Sequence, residues 1–117
     1  MATVLIVDPH KELAELMASV LEIMGHNARR LEHEEDVASI VNTFQPDAAF
    51  VDLPKSGGKN TFDIAKELRQ YSPNMRLFGM SMLPAHTWPA SEINLFEKYL
   101  LKPVNSRTMR DLLGESL

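Results

Sequence analysis

Four polar residues each close a short apolar run. Asp8 follows Val4-Leu5-Ile6-Val7, Asp52 follows Ala48-Ala49-Phe50-Val51, Ser81 follows Met75 to Met80, and Lys102 follows Tyr99-Leu100-Leu101. Gathered in one place, two carboxylates hold a divalent cation beside a phosphoryl group, while an ammonium neutralises negative charge and a hydroxyl donates a hydrogen bond. The set is complementary. Any one member is weak evidence, because an acid after a strand is more simply a helix N-cap or a solvated turn. The weight lies in the combination, and it requires a fold that brings four distant positions together.

An open parallel sheet does this, since its ligands bind beyond the carboxyl ends of the strands. The runs at Val4–Val7, Ala48–Val51, Met75–Met80 and Tyr99–Leu101 read as strands, with a weaker one at Asn27–Leu31. Between them the apolar period changes to that of a helix. Leu13, Leu16, Met17, Val20, Leu21 and Met24 form one stripe with Gly25 as a stop, and Val37, Ile40, Val41 and Phe44 form a second that ends at Gln45-Pro46. Phe62, Ala65, Leu68 and Tyr71 mark a third helix. Met109, Leu112 and Leu113 mark the last, capped by Asn105 or Ser106. Pro84 to Pro89 must be mostly loop, so the fourth helix is short. Strands alternating with helices predict a parallel α/β sheet covered on both faces.

Composition limits the function. The 117 residues are 44% apolar, enough for one core, and 12 Lys and Arg against 16 Asp and Glu give a net charge of −4. The basic residues are scattered, which argues against nucleic-acid binding by this domain. Zero Cys removes disulfides, thiolate metal sites and cysteine nucleophiles, and agrees with a cytoplasmic setting. No run approaches the roughly 20 apolar residues of a membrane span, and Met1 leads into Val4–Val7 without a basic segment, so no membrane anchor or signal peptide is expected.

Val4-Leu5-Ile6-Val7-Asp8, Phe50-Val51-Asp52-Leu53 and Tyr99-Leu100-Leu101-Lys102-Pro103 resemble the three signature stretches of response-regulator receiver domains. The resemblance covers essentially the whole chain, residues 1–117, as a single receiver domain. It implies a flavodoxin-like (βα)5 doubly wound fold with a five-stranded parallel sheet of order 2-1-3-4-5. It also implies a signalling module of a two-component phosphorelay, not an enzyme. Asp52 matches the acceptor of a phosphoryl group from a histidine kinase or phosphotransfer protein. Ser81 and Tyr99 match the hydroxyl and aromatic that shift on activation, and Lys102 matches the lysine that contacts the phosphoryl oxygens. Mg²⁺ is the implied metal, held by Asp8, Asp52 and the backbone carbonyl of Pro54. The Lys102-Pro103 peptide is expected to be cis. Further implied partners are an effector domain or protein, and a second copy through the fourth helix, fifth strand and fifth helix.

Three departures surround the site. Pro9 stands where such domains carry a second acid, so Mg²⁺ binding is expected to be weak or lost. His10 does not compensate, because Mg²⁺ prefers oxygen, and an imidazole suits a softer metal. The stretch Leu53 to Thr61 lacks the usual loop pattern and is one residue longer, with Gly57-Gly58 giving flexibility. Met82 replaces a small residue beside Ser81 and is expected to narrow access to Asp52. These departures raise the alternative of a degenerate receiver that signals as a phosphorylation-independent interaction module.

Other readings are weaker. Asp8-Pro9-His10 satisfies the first half of the Asp-x-His-x-x-Gly signature of cobalamin ligation, but Leu13 occupies the Gly position and is needed for the first helical stripe. A flavin site would need a phosphate-binding loop that is not present after the first strand. His26 and His33 are expected to be solvated, and His86 to lie in the Pro-rich loop. Trp88 is expected to pack on the core in preference to serving a partner face. The seven Met are expected mostly to fill the core. Glu32, Glu34, Glu35 and Asp36 are expected to favour the start of the second helix.

Overall fold

The computed structural model describes residues 1–32, 35–53 and 60–114. Five strands, β1 (Thr3–Val7), β2 (Asn27–Arg30), β3 (Ala48–Asp52), β4 (Arg76–Ser81) and β5 (Lys98–Leu101), form one parallel sheet of order β2-β1-β3-β4-β5. Five helices join them: α1 (Lys11–Ile23), α2 (Val37–Phe44), α3 (Asn60–Tyr71), α4 (Ala90–Ile93) and α5 (Ser106–Leu113). This is the expected flavodoxin-like topology. The Lys102-Pro103 peptide is cis, as expected.

The central strands alternate their side chains between two cores, as the period of two requires. Leu5, Val7, Ala49, Val51 and Leu77 face α2 and α3, packing on Val37, Ile40, Phe62, Ala65 and Leu68. Val4, Ile6, Ala48, Phe50, Phe78 and Met80 pack with Ala14, Leu21 and Met109 on the α1 and α5 side. Both faces are buried, so β1 and β3 read as unbroken apolar runs. The edge strands β2 and β5 are partly exposed and correspondingly less apolar.

Several local signals act as predicted. Asn105 caps α5 by accepting from Thr108 N at 2.9 Å, and Asp36 caps α2 by accepting from Ser39 N at 3.1 Å. Gly25 takes φ 93° just past α1. The 83–89 stretch carries only a 3-10 turn at Ala85–Thr87, and α4 is a single turn. Trp88 packs on the core, its ring 5.3 Å from that of Phe62.

Three expectations need correction. The buried face of α1 is Ala14 and Leu21, with Met17, Ala18 and Val20 partly buried, whereas Leu13 and Leu16 are 54% and 62% exposed. Leu13 is therefore not needed for the core, and the cobalamin signature fails only on the residue type at that position. His26 is buried: its Nδ1 accepts from Ala2 N at 3.0 Å, and its Nε2 donates to the Gly114 carbonyl at 2.6 Å. Glu32 and Glu35 pair with Arg30 and Arg29 of β2, leaving Asp36 as the residue that caps α2. The methionines mostly fill the core as expected, with Met24, Met75, Met80 and Met109 buried and Met17 partly buried, while Met1 and Met82 are exposed. His33, Glu34, Pro54 and Gly57-Gly58 lie outside the described residues.

Candidate functional site

Strand register assembles the site. Val7 pairs with Val51, so Asp8 and Asp52 leave β1 and β3 side by side. Asp52 pairs with Met80, and Ser81 pairs with Leu101, so each next residue, Ser81 and then Lys102, advances along the same carboxyl edge. Four residues that span 94 positions of sequence reach one end of the sheet for this reason alone.

Lys102 joins the two acids. Its Nζ donates to Asp52 Oδ1 at 2.5 Å and to Asp8 Oδ2 at 3.1 Å. The carboxylates are nearly enclosed, with side chains 9% and 4% exposed, and the lysine side chain is 15% exposed. The other oxygen of Asp8, Oδ1, accepts from the backbone N–H of His10 at 2.9 Å, which closes the β1–α1 turn, and lies 2.9 Å from His10 Nδ1. Asp8 is thus both a turn residue and a pocket residue.

Two carboxylates and one ammonium leave the pocket with an excess negative charge. Burial pushes the Asp52 carboxyl above its ordinary range; the Lys102 hydrogen bond pulls it back, and the Asp8 charge adds to the rise. Burial works against the Lys102 ammonium as well, but its bond to Asp52 and the charges of both acids outweigh this and hold it above its ordinary value. The two groups differ in what burial does to them, raising Asp52 and opposing Lys102, but the excess negative charge of the pocket raises both.

Ser81 is fully buried at the end of β4, and its hydroxyl accepts from Leu83 N at 3.0 Å. Tyr99 is half-buried on β5 and donates to the Leu83 carbonyl at 3.0 Å. Burial raises the Tyr99 phenol, with Ser81 and Trp88 partly offsetting the rise. Ser81 and Tyr99 therefore grip the same β4–α4 turn, while the acid pocket is closed by Lys102. Met82, beside them, is exposed to solvent.

Among the described residues, the side-chain donors near the pocket are Asp8, His10 and Asp52, one ligand atom from each lying within 4.8 Å of the others. Mg²⁺ prefers an octahedral shell of oxygens, and this set offers it the carboxylates of Asp8 and Asp52. Pro9 has no side-chain donor, and the third side chain in reach offers nitrogen. The place of His10 was legible in the Asp-x-His spacing.

The architecture is shared with solved receiver domains. The chain superimposes on a response regulator receiver domain from Methylobacillus flagellatus with TM-score 0.79 and 23% identity, covering 97% of this chain and 96% of that one. It is also similar to a response regulator from Burkholderia pseudomallei carrying a phosphorylated aspartic acid and a calcium ion (TM-score 0.77, 18% identity, 99% and 67% covered). A third likeness is the receiver domain of a diguanylate cyclase from Desulfovibrio desulfuricans (TM-score 0.73, 20% identity, 95% and 89% covered). At these identities the likeness establishes the receiver fold. No protein-family profile and no curated protein matches the chain. Among the described residues, no helix is long and apolar enough to cross a membrane.

Proposed function

We propose that residues 1–117 are a single receiver domain of two-component signalling in which Asp52 accepts a phosphoryl group from a histidine kinase or phosphotransfer protein. The observation that carries this reading is the contact of Lys102 Nζ with Asp52 at 2.5 Å in a pocket that also holds Asp8. An Asp52 carboxylate oxygen attacks the phosphorus of a phosphohistidine, the P–N bond breaks, and the imidazole leaves with the electron pair and takes a proton from water. The product is an acyl phosphate. Lys102 moves with the transferred group, exchanging its Asp52 bond for one to a phosphoryl oxygen, and so offsets the charge that builds up there.

The β4–α4 turn carries the readout. Ser81 gives up Leu83 N to donate to the phosphoryl group, which loosens the turn that Tyr99 also holds, and Tyr99 then repacks. An effector domain or protein, or a second copy of the chain at the α4-β5-α5 face, reads that change. Mg²⁺ binding is weak or lost in this pocket, and no step above depends on it.

A second reading, a degenerate receiver acting as an interaction module, is favoured by Pro9 and by Lys102 already closing on both acids. The two separate on incubation with acetyl phosphate at millimolar Mg²⁺. Phosphoacceptor function predicts an intact-mass gain of one phosphoryl group that Asp52→Asn abolishes; an unchanged mass in the wild type overturns it.

A further inference from the structure

We propose that Asp8, His10 and Asp52 form a mixed nitrogen–oxygen site that takes a divalent transition ion, Zn²⁺ or Ni²⁺, in preference to Mg²⁺. The inference concerns the pocket assigned above, but it follows from the donor atoms and stands whether or not Asp52 is phosphorylated.

Three observations carry it. The first is donor chemistry. Where a second carboxylate would supply oxygen, the chain has Pro9, and the next side chain directs Nδ1 to 2.9 Å from Asp8 Oδ1. Imidazole suits Zn²⁺ and Ni²⁺, whereas Mg²⁺ gains nothing from a nitrogen donor and loses an oxygen.

The second is spacing. A transition ion sits about 2.0–2.2 Å from nitrogen and carboxylate ligands, so its donors lie at most about 4.4 Å apart. One atom from each of the three side chains already lies within 4.8 Å of the others, and a closure of a few tenths of an ångström completes the site. Asp8 is fixed for this role by the His10 backbone N–H, which pins its Oδ1 beside the ring.

The third is charge and access. Lys102 occupies Asp8 Oδ2 and Asp52 Oδ1, so the Asp8 oxygen beside the imidazole is not the one that the ammonium uses. The walls are nearly enclosed, but the His10 side chain is 64% exposed and stands at the mouth, where an ion enters from solvent. A dication neutralises the excess negative charge of the pocket and competes with the Lys102 ammonium for it.

Isothermal titration of the full chain with ZnCl₂, NiCl₂ and MgCl₂ separately, in a non-chelating buffer, tests this against His10→Ala and Lys102→Met. The wild type is expected to bind Zn²⁺ or Ni²⁺ at least about tenfold more tightly than Mg²⁺. His10→Ala should lose about tenfold or more for the transition ions with little change for Mg²⁺, because it removes a nitrogen donor. Lys102→Met should tighten all three, because it removes a competing charge. Circular dichroism confirms that each variant is folded, and the exposed His10 carries no core packing. Equal affinities of the wild type for Zn²⁺, Ni²⁺ and Mg²⁺ overturn the proposal, as does transition-ion binding that His10→Ala leaves unchanged. Labelling by acetyl phosphate is read in a separate experiment. A labelled protein whose metal preference fails retains the acceptor function and loses only the site proposed here.

Discussion

Lys102→Met removes the only ammonium in contact with both buried acids among the described residues, and its cost can be worked from the geometry. At an effective dielectric of about 20, a unit-charge contact near 3 Å is worth about 5 kcal/mol, and Lys102 makes two. Desolvation of the ammonium opposes this by several kcal/mol, and removing one partner of such a buried group costs about 3–5 kcal/mol, because the remaining charge stays buried without compensation. Screening by water is small here, since all three side chains are at most 15% exposed. Methionine keeps the apolar stem, so the loss is electrostatic. Urea unfolding followed by circular dichroism at pH 8 should show the midpoint falling by about 1.5–2.5 M, given a slope of about 2 kcal/mol per M. At pH 5 the loss should shrink, because two carboxylates left without an ammonium share a proton. A loss below about 1 kcal/mol at pH 8, or one that does not change with pH, would refute the reasoning.

The remaining predictions concern the acid pair and the buried histidine. Because the Asp52 pKa is raised above its ordinary 3.8 on folding, the folded state holds that proton more tightly; its contribution favours folding at low pH and fades as pH rises through the folded value. Asp52→Asn should therefore gain stability relative to the wild type as pH rises from 4 to 7, read as the difference in Tm, and a variant that falls behind instead contradicts the assignment. His26→Ala leaves Ala2 N–H and the Gly114 carbonyl without their partner and should cost about 2–3 kcal/mol in thermal unfolding. A cost near zero would show that water replaces the imidazole freely.

Much of this architecture was legible because the sheet is buried on both faces. Val4–Val7 and Ala48–Val51 carry no polar residue, and the first polar residue after each run marks the strand end where the site lies. Asp8, Asp52 and Lys102 were accordingly found together. What escaped was set by partners distant in sequence. His26 follows Gly25 and resembles a turn residue, yet it bonds to positions 24 and 88 residues away, which no local pattern reveals. In α1 the apolar sector is wider than the face that meets the sheet. Leu13 and Leu16 outweigh Ala14 and Ala18 in hydrophobicity, but the small alanines allow the helix to approach the strands, and they are the ones that pack. Glu32 and Glu35 looked like helix-start acids until β2 placed Arg30 and Arg29 beside them.

The most direct test of the acceptor assignment locates the phosphoryl group itself. Borohydride reduction after phosphotransfer from a phosphohistidine donor converts an aspartyl phosphate to homoserine, and peptide mass mapping then reads the position. The account predicts homoserine at residue 52 and at no other acid. Unreduced Asp52, or label at Asp8 in its place, would contradict it.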